Sequence, residues 1–266
     1  MNNGDIMILE TIAQANRERY AEIEKQIPLE EIKSKALSMN ITDEFPFEKA
    51  LAKDGISYIC EVKKASPSKG IIAEDFPYVQ IAKDYENAGA SAISVLTEPQ
   101  WFKGENKYLQ EISQNVKIPL LRKDFIFDEY QIAEAKAAGA SAVLLIAKML
   151  KKPDFKRLFD FAKSLSLDVL AEAHDEAEIE AVLDCGADIV GVNCRNLRTF
   201  GLDFSVSERL LKTLPDCVVK VAESGVDSRE TLLRARGAGA DAALVGTALM
   251  KEQSPSEALK KLLGAL

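Results

Sequence analysis

The chain has 266 residues, 47% of them hydrophobic and 29% charged, which suits a soluble globular protein with either two average domains or one (β/α) barrel. Its formal net charge of -8 argues against a nucleic-acid partner, which needs a basic face. His174 is the only histidine, so no imidazole-built zinc or iron site is expected, and Cys60, Cys185, Cys194 and Cys217, with no C-x-x-C spacing, read as reduced thiols of a cytoplasmic protein.

In chain order, "MNNGDIMILE" has two acids and no basic segment, so it is not a signal peptide. No apolar run approaches the roughly 18 residues that a membrane helix needs. "ILETIAQANRERYAEIEKQI" is amphipathic at helical spacing and stops before Pro28; "PLEEIKSKALSM" gives a second helix and "PFEKALAKDG" a third, closing at Gly55. These first fifty residues form an N-terminal helical extension. It either covers the bottom of the larger unit after it or reaches over the active face.

The first strand is "ISYICEV" at 56–62, followed by helix "PYVQIAKDYENA". "NAGASAISVLT" from Asn87 then turns through Gly89 into a buried strand, and "NKYLQEIS" is the next helix. Strand "IPLLRKDF" at 118–125 and helix "DEYQIAEAKAA" lead to "AAGASAVLLIA" from Ala137 and helix "PDFKRLFDFAKSL". Strand "LDVLAEA" at 167–173, helix "DEAEIEAVLD", "DCGADIVGVN" from Asp184 and helix "SERLLKTL" come next. The chain finishes with strand "CVVKVAESG" at 217–225, helix "SRETLLRARG", "GAGADAALVGT" from Gly237 and helix "SPSEALKKLLGAL". Gly89, Gly139, Gly186 and Gly239 recur at a period near fifty residues, each suited to the left-handed position that ends a helix.

Eight near-continuous apolar strands, each followed by a helix, give an α/β protein with a parallel sheet buried on both faces. We expect a (β/α)8 TIM barrel: one domain over 1–266, with the extension at 1–50 and the barrel at 56–266. An open doubly wound sheet is the rival, but it predicts a G-x-G-x-x-G loop, and the chain has none.

Active sites of such barrels lie at the C-terminal strand ends. Glu61 and Lys63 end the first strand and, two apart, share one side of it. The other ends carry Thr97 and Glu98; Arg122, Lys123 and Asp124; Glu172 and His174; Asn193 and Arg195; Glu223 and Ser224; and Gly246 with Thr247. The fourth strand offers only Lys148, which, like Asp124, reads as a solvated rim charge. His174 reads as a hydrogen-bonding residue at a loop start, with Asp175 capping the next helix. Glu61, Lys123, Glu172 and Glu223 sit inside apolar runs, where a charge must pair or perform chemistry. A structural ion-pair ring and an acid–base set with anion holders remain equally open on spacing alone. "AESGV" and "LVGTAL" follow the two last strands, where this fold often holds a phosphate on glycine N–H groups and hydroxyls. "SPSKG" at 66–70 is a loop, either a further anion contact or a lid.

Together, "CEVKKASPSKG", "LTEPQWFKG", "PLLRKDFIFDEYQI", "AGASAVLLIA", "LAEAHDEAE", "GVNCRNLRTF", "VAESGV" and "ALVGTALM" resemble indole-3-glycerol-phosphate synthases along essentially the whole chain. The resemblance implies ring closure of 1-(2-carboxyphenylamino)-1-deoxyribulose 5-phosphate, with loss of carbon dioxide and water, in tryptophan biosynthesis. It implies no cofactor and no metal. Lys123 matches the family's general acid, its pKa expected to be lowered by neighbouring cations and an apolar mouth. Glu172 matches the general base. Lys63 matches a residue that holds the substrate carboxylate and acts in dehydration, and Glu61 one that orients the lysines. Asn193 and Glu223 would bind sugar hydroxyls and tune Glu172. Ser66, Ser224, Gly225, Gly246 and Thr247 would form the phosphate site. Phe102, Phe125, Leu144, Leu244 and Arg195 would contact the ring and sugar, with plain barrel packing the competing reading for the two leucines. The expected form is a monomer acting on a small phosphorylated substrate, with a tryptophan-pathway enzyme the one macromolecular partner to consider.

Cys194 and Thr247 depart from the polar residue, and from the serine or acid, common at those places in the family. A phosphoribosyl isomerase of the same barrel type would need a catalytic aspartate or cysteine pair at other strand ends and would not explain "EVKKASPSKG". A catalytically dead barrel kept for binding would lack at least one of Glu61, Lys63, Lys123 or Glu172, and all four are present.

Overall fold

A computed structural model describes residues 7–39, 44–195, 201–250 and 255–264. The start of "MNNGDIMILE" and the tail of "GVNCRNLRTF" lie outside the described residues. Eight parallel strands close into a barrel: β1 (Ser57–Val62), β2 (Ala92–Leu96), β3 (Leu120–Lys123), β4 (Ala142–Ile146), β5 (Asp168–Ala173), β6 (Ile189–Asn193), β7 (Val219–Glu223) and β8 (Ala242–Val245). β1 closes the ring by pairing with both β2 and β8, with Ile59 opposite Ala92 and Leu244. Before the barrel come α1 (Met7–Gln26), α2 (Leu29–Leu37) and α3 (Pro46–Leu51). Around it run α4 (Tyr78–Asn87), α5 (Asn106–Ser113), α6 (Glu129–Ala137), α7 (Lys152–Ser164), α8 (Glu176–Asp184), α9 (Phe204–Leu211), α10 (Arg229–Gly237), α11 (Thr247–Met250) and α12 (Pro255–Leu263).

Alternation along each strand divides two cores. Ile59, Leu121, Leu144, Leu170, Ile189, Val221 and Leu244 point inward and fill the barrel. Their neighbours Cys60, Val95, Val143, Val169 and Val190 point outward, against Tyr85, Leu109, Ile132, Leu158 and Val182 of the surrounding helices. The helices start and stop on local chemistry. Asp128 and Gln131 form a capping box at α6, and Ser228 and Thr231 form another at α10. Asp175 accepts the Glu178 N–H, as expected. Gly89, Gly139, Gly186 and Gly239 have φ between +90° and +96°, the conformation that lets a helix turn into the next strand.

Three differences from the sequence reading have simple causes. The helix expected at "SERLLKTL" begins earlier, at Phe204, because Asp203 accepts the Ser205 N–H and caps α9. The "SPSKG" loop contains a two-stranded ribbon, Ala65–Ser66 against Gly70–Ile71, too short to show periodicity. The short helix α11 follows β8 directly.

The N-terminal helices serve both ends of the barrel. α1 brings Leu9 and Ile12 to the mouth. α2 packs along α6. α3 closes the bottom with Phe47 and Leu51, both wholly buried in the inner core. Asp168, at the start of β5, accepts the Phe47 and Glu48 N–H groups at 3.0 and 3.1 Å and so fixes the plug. Phe47→Ala is expected to cost about 3–5 kcal/mol in urea unfolding. A loss below about 1 kcal/mol would mean that the bottom layer collapses onto the gap.

Candidate functional site

The strand pleat dictates the mouth. Five of the eight inward columns end, two residues further along the strand, in a polar side chain: Glu61 above Ile59, Lys123 above Leu121, Glu172 above Leu170, Asn193 above Gly191 and Glu223 above Val221. These five and Lys63 line one cavity of about 650 Å³. Ser66, Phe102, Phe125, Leu144, Arg195, Ser224, Gly225, Leu244, Gly246 and Thr247 line it too, so every site residue expected from sequence reaches the same space. Leu144 and Leu244 both pack in the barrel and form the cavity floor. Lys69, of the loop expected as an anion contact or lid, also lines it, while Leu9, Ile12 and Leu202 line it and were not expected. The amphipathic pattern of α1 was the only signal for Leu9 and Ile12, and it does not say which surface the helix covers.

Charge is concentrated in the mouth. Lys123 Nζ lies 3.0 Å from Glu172 Oε2 and 3.1 Å from Glu223 Oε2, and Lys63 Nζ lies 2.5 Å from Glu61 Oε1. Burial disfavours the Lys123 ammonium, but Glu172, Glu223 and Glu61 outweigh burial and push its pKa up. This corrects the expectation of a lowered value: the nearest groups are carboxylates, not cations. Burial alone would raise Glu172; Lys123, His174 and a hydrogen bond from Asn193 reverse that and hold it ionised. Glu223 goes the other way. Burial pushes it up, Lys123 opposes, and the neighbouring Glu172 charge adds to the rise. Its Oε1 has no hydrogen-bond partner among the described residues.

His174 donates its backbone N–H to Glu178 at 2.8 Å and sets Nδ1 3.1 Å from the same oxygen, so the loop-start reading fits. Its Nε2 also stands 3.4 Å from Glu172 Oε1. Burial lowers the His174 pKa, but Glu178 and Glu172 raise it further, for a net rise. Lys148 is a rim charge, half exposed and 3.2 Å from Glu178.

Asp124 is not a rim charge: it is 2% exposed, and this corrects the sequence reading. It accepts from Thr97 Oγ1 at 2.6 Å, Arg122 at 3.1 Å and the Phe125 N–H at 2.8 Å. Asn16 of α1 adds a longer contact at 3.4 Å. The strand leaves the sheet here, but α1 covers it.

Two glycines make room for the acids. A Cβ at Gly191 would collide with Glu223 Oε1, and one at Gly246 would collide with Glu61 Oε1 and stand 3.1 Å from Lys63 Nζ. Gly191→Ala is therefore expected to displace Glu223 and lower kcat about 10- to 100-fold, with circular dichroism unchanged. Wild-type turnover in that variant would show that Glu223 has room to move without consequence.

Past β7, Ser224 (φ +61°) and Gly225 (φ +73°) both adopt the left-handed conformation. That conformation is costly for serine and marks a turn held for a purpose. Cys194 lies beneath it, its thiol 3.5 Å from the Ser224 carbonyl. Ser66 Oγ is buried and has no hydrogen-bond partner among the described residues. The rings of Phe102 and Phe125 stand 5.9 Å apart, tilted by 43°.

The family model for indole-3-glycerol phosphate synthase matches residues 9–262. An indole-3-glycerol phosphate synthase from Ruminiclostridium cellulolyticum is 45% identical over 259 residues, covering 97% of this chain and all of that one. One from Endomicrobium trichonymphae is 46% identical over 256 residues, covering 96% and 99%. Among solved structures, 3-hexulose-6-phosphate synthase superposes with a TM-score of 0.62 at 16% identity, covering 79% of this chain and all of that one, a likeness of fold alone. With a family match over nearly its whole length and relatives above 40% identity, the chain belongs to the indole-3-glycerol phosphate synthase family.

Proposed function

We propose that the barrel mouth closes the pyrrole ring of 1-(2-carboxyphenylamino)-1-deoxyribulose 5-phosphate with Lys123, Glu172 and Lys63 as the proton-transferring groups. The activity is that of the family, a carboxy-lyase of tryptophan biosynthesis. The observation that carries the assignment of roles is the Lys123 ammonium between two buried carboxylates, beside a second lysine–glutamate pair, in one cavity.

In the first step the ring carbon that bears the carboxylate attacks the ketone carbon. Lys123 gives its proton to the carbonyl oxygen. A developing alkoxide is a stronger base than an amine, so a raised lysine pKa does not prevent transfer at the transition state. The bond to the carboxylate then breaks, carbon dioxide leaves, and its electron pair returns to the ring. Lys63 protonates the new hydroxyl, which departs as water, while Glu172 removes a proton from the adjacent carbon to complete the indole. Two protons are given and one is taken back, and the net proton consumed is the one that any decarboxylation of a carboxylate requires.

The charge arrangement supports this order. Lys123 is the strongest attractive charge acting on Glu172. Once Lys123 has given up its proton, that charge is gone and Glu172 becomes a stronger base for the last step. Glu61 holds Lys63, and Asn193 and Glu223 face the sugar hydroxyls and Glu172. Phe102 and Phe125 form an apolar slot for the aromatic ring with Leu144 and Leu244 as its floor, and Arg195 contacts the sugar end. Ser66, whose hydroxyl has no partner among the described residues, and the Ser224–Gly225 turn with Gly246 and Thr247 receive the phosphate.

The deciding experiment adds the carboxyphenylamino-deoxyribulose phosphate to purified protein with EDTA and no cofactor and follows indole fluorescence. A rise supports the reaction without an accessible divalent metal. A flat trace from folded protein that binds the ligand would point to a barrel kept for binding.

A further inference from the structure

Glu98 does not line the cavity, yet it is only 1% exposed and spends its whole carboxylate on one loop. Its Oε1 accepts the Gln100 N–H at 2.8 Å, and its Oε2 accepts those of Trp101 and Phe102 at 2.7 and 3.0 Å. Its backbone carbonyl accepts the Gly104 N–H at 2.8 Å, so the loop folds back onto its own start. Gly104 permits this, because a Cβ there would collide with the Leu96 carbonyl and stand 2.9 Å from Thr97 N. Lys103 takes up a left-handed φ of +53° in the same turn. The loop after β2 is thus wound around one acid.

The wound loop delivers two contacts to the cavity. Its Phe102 ring meets Phe125, and the Phe102 carbonyl accepts the Ala65 N–H at 3.2 Å. Ala65 belongs to the ribbon whose next residue, Ser66, carries the buried hydroxyl that has no partner among the described residues. One carboxylate therefore ties the aromatic wall to the ribbon that carries Ser66.

We propose that Glu98 is a positioning residue for substrate binding: by collecting three backbone N–H groups it holds Phe102 against Phe125 and, through Ala65, holds the Ser66 ribbon at the cavity. This rests on the reading of Phe102 and Ser66 as substrate contacts. A carboxylate is the fitting group because it is acceptor-only on both oxygens. Glutamine keeps the shape but must turn an N–H2 toward at least one backbone N–H.

The test compares Glu98→Gln with Phe102→Ala in steady-state assays, and reads the loop directly from Trp101, the only tryptophan, by acrylamide quenching without substrate. Glu98→Gln is expected to raise KM roughly tenfold while kcat stays within about threefold of wild type, and to increase Trp101 quenching. Phe102→Ala is expected to raise KM in the same direction. If Phe102→Ala raises KM while Glu98→Gln leaves KM unchanged, with or without altered quenching, the positioning role is overturned and the slot stands. If Phe102→Ala itself leaves KM unchanged, the slot reading falls and takes this inference with it. A fall in kcat alone for Glu98→Gln, at constant KM, also overturns it, because the role assigned is in binding.

Discussion

Lys123→Met is expected to lower kcat by about 10²–10⁴-fold, the range for removal of a positioned proton donor, while the barrel still forms. Methionine approximates the lysine stem, so apolar packing is kept and the charge alone is lost. The same change should destabilise the protein at neutral pH. Glu172 and Glu223 would then face each other, buried, without the ammonium 3.0 and 3.1 Å away. Breaking a buried pair from one side costs about 3–5 kcal/mol. The pH dependence follows from the shifts. In the wild type, Glu172 has its pKa held down, so it contributes stability above the unfolded carboxylate value and loses it as pH falls through the folded one. In the variant, burial and mutual repulsion raise both carboxylates, so the folded state binds the extra proton and stability falls as pH rises. Urea unfolding from about pH 7 down to about pH 4.5 should therefore show the gap between wild type and variant narrowing. A gap that is constant with pH would show that the two glutamates do not depend on Lys123 for their charge.

Arg122→Lys should produce the largest loss of stability among single conservative changes outside the cavity, about 3–5 kcal/mol. The guanidinium is 1% exposed. Its Nε–H goes to Thr97 Oγ1 at 3.1 Å, and its two terminal nitrogens reach the Gln131 carbonyl at 2.9 Å, Glu134 at 2.8 Å, the Tyr20 hydroxyl at 2.6 Å and Asp124 at 3.1 Å. Five donors meet five acceptors. Burial opposes the charge, but Tyr20, Glu134 and Asp124 more than offset it and raise the pKa further. A lysine has three donors and no fork, so at least two of these buried acceptors lose their partner. Thermal and urea unfolding measure the loss. A change under about 1 kcal/mol would show that the acceptors rearrange among themselves. Because Asp124 also accepts the Phe125 N–H, kcat/KM should fall alongside stability.

The parts legible in the sequence were those written in short-range rules. Alternation put Glu61 and Lys63 on one side of β1, and a glycine after every second barrel helix marked the repeat; both depend on neighbours close along the chain. The strand-end rule then gathered Lys123, Glu172, Asn193 and Glu223 without any long-range information. Asp124 defeated the same rule. A carboxylate at a strand end reads alike whether it meets water or Asn16, and Asn16 is 108 residues distant. The sign of the Lys123 shift was also out of reach. Lysines and glutamates sharing one mouth allow either direction, and only the neighbours at 3.0 and 3.1 Å decide it. Leu9 and Ile12 escaped because amphipathicity gives a helix a face but not a destination.

The N-terminal helices hold both poles of the barrel through contacts that are distant along the chain. Asn16 meets Asp124, Tyr20 meets Glu134 and Phe47 meets Asp168, separations of 108, 114 and 121 residues. At the usual pace of synthesis, about 5–20 residues per second, these helices wait roughly 5–25 s before their partners have been made. They meet water well before the residues they dock on exist. The charged faces of α1 and α2, with Glu18, Glu22, Lys25, Glu30 and Lys33 outward or paired along the helix, keep that interval soluble. Closure of the bottom by Phe47 then reports that the chain has been made at least through β5.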